Sequence, residues 1–197
     1  AKGQRDLIVY GNGVTTSYQY DPLTFRLTQL QTRRGAERLQ DLSYTYDPAG
    51  NITTVRDDAQ QTIFFKGQVV GPHCDYTYDA IYRLILATGR EHLGQGGALA
   101  PTSPNDAPRV GSPHPNDGNA MGRYRQEYEY DEVGNILSMR HRGTDPAHPG
   151  WKRCYQHTLD SNRLLSTGNP SDQNAPESAC PVHYAAQPVN AETYGYD

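Results

Sequence analysis

The sequence predicts an all-β protein built from successive antiparallel hairpins, on three observations. The first is a repeat. Tyr-Xaa-Tyr-Asp occurs as Tyr18-Gln19-Tyr20-Asp21, Tyr44-Thr45-Tyr46-Asp47, Tyr76-Thr77-Tyr78-Asp79, Tyr128-Glu129-Tyr130-Asp131 and Tyr194-Gly195-Tyr196-Asp197, and internal repetition decides architecture before any local signal does. The second is the continuation after each Asp, where a Gly-Asn form alternates with an Arg-Leu one. The third is composition. Fifteen Tyr stand against 3 Phe and 1 Trp in a 35% hydrophobic chain of mean hydropathy −0.82. Rings with polar tips must therefore carry much of the burial, which suits a thin sheet better than a deep apolar core.

The first element is a hairpin. Leu7 to Tyr10 and Val14 to Tyr20 flank Gly11-Asn12-Gly13, and Asn-Gly is the strongest short hairpin signal. In every repeat the two tyrosines share one face of a strand, because side chains alternate. The Asp opens a turn by accepting bonds from backbone amides just ahead. In Asp47-Pro48-Ala49-Gly50-Asn51 and Asp131-Glu132-Val133-Gly134-Asn135 the glycine supplies the positive φ of a type I turn with a glycine bulge. Asp21 to Arg26, Asp79 to Arg83 and Asp160 to Arg163 form the Arg-Leu class with unequal spacing, so their turns cannot be identical. The return strands are Arg26 to Thr32, Ile52 to Arg56, Leu84 to Thr88 and Ile136 to His141. A degraded copy is read at His157-Thr158-Leu159-Asp160, as a bend. Arg33 to Leu42 is the best candidate for a short helix.

Residues 1–197 read as a single repeat segment, an excerpt of a longer polypeptide, interrupted by a Gly/Pro-rich insertion at 93–122. Five prolines between Pro101 and Pro115 forbid regular pairing there. The insertion is read as a covering loop or a mobile one, with Leu93, Met121 and Tyr124 pinning its ends. Two further loops are expected at 143–150 and 168–187.

The alternating Tyr-Asp-Xaa-Xaa-Gly-Asn and Tyr-Asp…Arg-Leu units resemble the RHS or YD-repeat family over nearly the whole chain. Tyr44 to Gln61, Asp75 to Gln95 and His114 to Leu137 are most similar to the B component of bacterial insecticidal Tc toxin complexes. The resemblance implies hairpins that wind into a hollow shell, of which this chain is a curved strip, around a C-terminal cytotoxic polypeptide. It also implies secretion as an extracellular toxin complex, with partners in the rest of the shell, the enclosed polypeptide and a pore-forming component. The autoprotease core of that family has no match here, so no catalytic residue carries over and no enzyme activity is expected. Tyr18, Tyr20, Asp21, Tyr44, Tyr46, Asp47, Tyr76, Tyr78, Asp79, Tyr128, Tyr130 and Asp131 are the structural repeat residues.

Chemistry is otherwise sparse. A net charge of −4 gives no footprint for nucleic acid, and no apolar run approaches the roughly 20 residues of a membrane helix. No cofactor is expected. Cys154-Xaa-Xaa-His157 and Cys180-Xaa-Xaa-His183 hold the four ligand types of a zinc site; the plainer reading is two small apolar cysteines beside unrelated histidines, and three cysteines in all argue against a fully paired disulfide framework. Asp57-Asp58 reads as a solvated turn and Glu91-His92 as a surface pair. Arg26, Arg83 and Arg163 are expected to bridge to the Asp of their own or a neighbouring hairpin. The alternative to a shell is a carbohydrate- or cell-surface-binding module, in which exposed tyrosines stack on sugars.

Overall fold

The computed structural model of the protein describes residues 3–94, 116–144, 150–158, 160–168, 180 and 192–195. Every element among the described residues is a strand. In chain order they are β1 (Leu7–Val9), β2 (Val14–Tyr20), β3 (Leu27–Arg34), β4 (Glu37–Tyr46), β5 (Ile52–Asp57), β6 (Ile63–Phe65), β7 (Gln68–Val70), β8 (His73–Tyr78), β9 (Leu84–His92), β10 (Met121–Tyr130), β11 (Ile136–Gly143), β12 (Trp151–His157), β13 (Leu164–Thr167) and β14 (Glu192–Thr193). Twelve of them pair antiparallel in chain order as one open sheet, and β6–β7 stand apart as their own hairpin. The predicted hairpin architecture is what forms.

The pairing gives the sheet two unlike faces. Tyr18 stands opposite Leu30, Leu30 opposite Leu42, Tyr44 opposite Val55, Val55 opposite Cys74, and Tyr76 opposite Ala87. Tyr124, Tyr128, Met139 and Trp151 continue this apolar face. Alternation places Gln31, Asp41, Thr54, Asp75, Thr88 and Arg125 on the other. Among the described residues the buried apolar side chains are few: Val70, Ala87, Leu93 and Ala120. Burial by half-buried tyrosines spread over a single layer replaces a central core, as the composition predicts.

Two expectations are corrected. Arg33 to Leu42 is not helical. It contains the β3–β4 hairpin, closed by Gly35-Ala36 with Gly35 at φ +58°, and a glycine in the first loop position is what a two-residue type II′ turn requires. Its polar alternation reads equally as strand or short helix, and sheet neighbours decide. The 93–122 insertion lies mostly outside the described residues, but its end at Met121–Gly122 belongs to β10 and pairs with Glu91–His92. Its neck is closed by the Leu93 amide on the Ala120 carbonyl at 2.8 Å and by the Leu93 side chain, 3% exposed, against Gly122. The β6–β7 hairpin is an addition to the repeat pattern; Lys66 and Gly67 both have positive φ, a type I′ turn that a Lys-Gly pair signals only weakly.

Candidate functional site

The repeat turns join β2–β3, β4–β5, β8–β9, β10–β11 and β12–β13, so all five lie along one margin of the sheet. The other described connections lie along the opposite margin. In the four turns that an Asp opens, its carboxylate accepts backbone amides of the turn. The Asp47 carboxylate accepts the amides of Gly50 (2.7 Å) and Asn51 (2.8 Å) and the Asn51 side-chain amide (2.8 Å). Asp131 accepts from Val133, Asn135 and the Asn135 side chain. Asp21 holds Leu23 and Thr24; Asp79 holds the amides of Ile81 and Arg83 and, at 2.7 Å, Nε of Arg83. These bonds favour the ionised form and hold all four carboxyls below the ordinary range. The Thr24 amide leads at Asp21, the Arg83 amide at Asp79, and the Asn side chain at Asp47 and Asp131.

Beyond each turn, the return strand bulges at its second residue. Gln19 pairs with Gln29 but Tyr20 with Leu27, and the same skip recurs at Thr53, Ile85, Leu137 and Leu165. The two turn classes differ at the positive-φ position within the turn. Gly50 and Gly134 sit at φ +112° and +98°, whereas Phe25 and Tyr82 adopt φ +61° and +67° in the Arg-Leu class. A large side chain there is strained.

The second tyrosine of three repeats clamps the hairpin before it, and Tyr20 clamps the segment that leads into β1. The Tyr46 hydroxyl donates to the Leu27 carbonyl (2.7 Å), Tyr78 to Ile52 (2.8 Å), Tyr130 to Leu84 (2.7 Å) and Tyr20 to Arg5 (2.9 Å). Leu27, Ile52 and Leu84 are each the first residue of the preceding return strand. The arginine of each Arg-Leu turn clamps forward. Arg26 donates to the Asp47 carbonyl at 3.0 Å and lies 5.5 Å from the Tyr46 ring centre. Arg83 donates to the Asp131 carbonyl at 2.9 Å, 4.8 Å above the Tyr130 ring. The expected bridge to a neighbouring Asp thus goes to its backbone carbonyl, where the ring provides a second, cation–π contact. Arg26 crowds Gly50 so closely that an alanine Cβ there would lie 2.8 Å from its Nη2.

The degraded repeat is realigned. The amide that closes its turn belongs to Thr158, which donates to the Arg163 carbonyl at 3.0 Å, as Asp21 donates to Arg26, and the bulge precedes His157. Tyr155, His157 and Thr158 therefore occupy the Tyr, Tyr and Asp places, two residues earlier than the sequence match. Thr158 caps with its hydroxyl on the Ser161 carbonyl (2.7 Å). The turn meets its neighbour through Asn135 and Asn162, 3.2 Å apart. Leu159 lies outside the described residues.

The zinc reading is corrected by two facts. Cys154 and Cys180 form a disulfide, so their thiolates are not available as ligands. Cys154 and His157 are three residues apart on β12, which puts them on opposite faces. His183 lies outside the described residues, and among the described residues no three metal-ligating side chains gather. Cys74 is free and packs with the Tyr124 ring over Gly89, where an added Cβ would meet both within 3 Å. Tyr124, His141 and Trp151 stack at 5.1 and 5.3 Å between ring centres, and Glu91 holds His141 at 2.8 Å. His92 points to the other face and bonds the Asp117 carbonyl, so Glu91 and His92 do not act together. Asp58 pairs with Arg56 and Asp57 accepts the Asp41 and Ala59 amides, as a turn would have it. Desolvation pushes the Tyr44, Tyr46, Tyr76, Tyr78, Tyr128 and Tyr130 hydroxyls up, and Tyr124 furthest, to about 12.

An open sheet whose recurring geometry is spent on joining one hairpin to the next defines a class, the modular hairpin strip. The relatives of this chain are toxin subunits. It is 40% identical over 188 residues to toxin subunit YenC2 of Yersinia entomophaga, covering 89% of this chain and 18% of that subunit. It is 40% identical over 147 residues to toxin subunit YenC1 of the same organism, covering 72% of this chain and 14% of that one. The chain therefore spans less than a fifth of the curated relatives it matches. No family model matches it. The crystal structure of TcdB2-TccC3 superposes with a TM-score of 0.63 at 38% identity, over 82% of this chain and 8% of that one. The Photorhabdus luminescens Tc holotoxin pore carrying TccC3-D651A superposes at 0.61 and 37%, over 83% of this chain and 7% of that one. The sequence resemblance points to a B component; both curated relatives bear the names YenC1 and YenC2.

Proposed function

We propose that this chain is a stretch of YD-repeat shell wall in a secreted toxin complex, enclosing a cytotoxic polypeptide and performing no chemistry itself. One observation carries the reading: three second-position tyrosines, Tyr46, Tyr78 and Tyr130, each tie their hairpin to the carbonyl of the one before. A wall needs lateral continuity, and these residues supply it. The repeat residues Tyr18, Tyr20, Asp21, Tyr44, Tyr46, Asp47, Tyr76, Tyr78, Asp79, Tyr128, Tyr130 and Asp131 are its joints. The similarity to toxin subunits and to an assembled holotoxin pore supports shell and pore components as partners. The sugar-binding alternative needs tyrosines open to solvent, and the eight repeat tyrosines from Tyr18 to Tyr130 are half-buried.

The test is a chimera of YenC2 in which this chain replaces the homologous stretch. The chimera is expected to assemble and to shield the enclosed polypeptide from protease as the parent does. An assembled particle whose contents are digested at the rate of free polypeptide contradicts the reading.

A further inference from the structure

The described residues hold one covalent cross-link, and it lies at the end of the strip. Cys154 projects from the polar face of β12, directly opposite Ser138 of β11, and is bonded to Cys180. Cys180 falls in sequence between β13 and β14, two short strands that pair with each other. Its sulfur lies 3.9 Å from the Leu137 carbonyl oxygen of β11. The chain therefore leaves β13 at Thr167, comes down over β11 and β12 at residue 180, and re-enters the sheet beside β13 at Glu192. Backbone pairing holds this end thinly: β13 meets β12 at Leu164, Ser166 and Thr167, and β14 only at the last two. Further back, β9 and β10 pair along the whole run from Leu86 to His92.

We propose that the Cys154–Cys180 bond is a redox clip: closed, it pins the β13–β14 end of the strip, and a small dithiol opens it and releases that end. A thiolate of the reductant attacks one sulfur and the other leaves as a thiolate; the reductant's second thiol then displaces the first. Two electrons and two protons pass to the cysteines, which end as thiols, and the reductant ends as its own disulfide. Three features distinguish a clip from an inert staple. Both cysteines are only half-buried, within reach of a small thiol. The bond spans a sequence separation of 26 and loops around β13, so opening it returns chain entropy to a sparsely paired strand. Cys74, the free thiol, sits on β8 four strands away and on the other face, across from Val55. It cannot exchange with the pair, so reoxidation restores the same bond. An oxidising medium outside a cell keeps such a bond closed, and a reducing thiol pool opens an accessible one. The clip goes beyond the shell reading and stands whether or not the strip encloses a polypeptide.

The experiment is amide exchange of the 197-residue chain in oxidised and in reduced dithiothreitol, with thiols counted after denaturation. One thiol per chain is expected in the oxidised form and three in the reduced form. Reduction should speed exchange of the Gly168 amide, bonded to the Cys154 carbonyl at 2.8 Å, and of the Tyr194 amide, bonded to the Leu165 carbonyl at 3.0 Å, about tenfold or more. The Asp47 amide, bonded to the Asn51 carbonyl far along the sheet, should not respond. Cys154→Ser/Cys180→Ser should exchange like the reduced parent in both media, and Cys74→Ala should keep the full response. The clip is overturned by three thiols in the oxidised chain, by equal protection of Gly168 and Tyr194 in both media, or by a response that Cys74→Ala removes. It is overturned as well if Asp47 quickens as much as Gly168, which would make the bond a staple of the whole sheet.

Discussion

Tyr130→Ala is expected to destabilise the chain by about 3 kcal/mol, and Tyr130→Phe by about 1 kcal/mol, in denaturant unfolding. The phenylalanine variant loses only the bond to the Leu84 carbonyl, a net contribution of that order. The alanine variant also loses the ring under Arg83 and opens a void beside β9, which large-to-small changes make costly. Removing the Arg83 side chain as well should cost less than the sum of the single changes, since guanidinium and ring share one contact. If Tyr130→Ala falls within about 0.5 kcal/mol of the parent, as ordinary surface changes do, the tyrosine clamp is not what joins the hairpins.

Alkali is expected to unfold the sheet. Seven tyrosines hold their protons more tightly folded than unfolded, burial being the first cause in each. A raised pKa contributes stability that is complete below the unfolded value, about pH 10, and lost as pH climbs through the folded values, with Tyr124 last at about 12. In that window the unfolded chain binds fewer protons than the folded one, so the stability slope is negative. Denaturant midpoints should be flat from about pH 7 to 9 and then fall steeply, with tyrosinate absorbance rising together with loss of strand signal. Tyrosines that ionise one by one near pH 10 in an intact fold would contradict the burial. The turn aspartates have the opposite sign: their depressed values contribute stability above the unfolded carboxylate range that is lost as pH falls through the folded ones.

The repeat made the strands and their order legible, because Tyr-Xaa-Tyr-Asp carries strand, face and turn in four residues. What it could not show was contact between units. Arg26 and Arg83 reach the carbonyl of the next turn, a partner that no residue type announces. The degraded unit misleads because its Asp160 looks like a turn opener, while the backbone closes from Thr158; Tyr155, two residues before His157, is the signal that marks the true frame. Period two also speaks against pairing Cys154 with His157 on a strand, whereas the disulfide partner of Cys154 depends on a chain path that spacing leaves open. The β3–β4 hairpin turns on Gly35 in polar surroundings, where local pattern is weak and sheet neighbours decide, and the β6–β7 hairpin joins two apolar runs through Lys66-Gly67, a pair that announces a turn only weakly.

Amide exchange in the Arg83→Ala chain tests most directly whether neighbouring hairpins are mechanically one. The turn amides of Val133, Gly134 and Asn135 belong to a hairpin far along the sequence, joined to Arg83 through the Asp131 carbonyl. Their exchange should quicken along with that of Ile81 and Tyr82. Faster exchange confined to residues 79–84, with the 131–135 turn protected as in the parent, would mean that each hairpin stands alone and the strip is no wall.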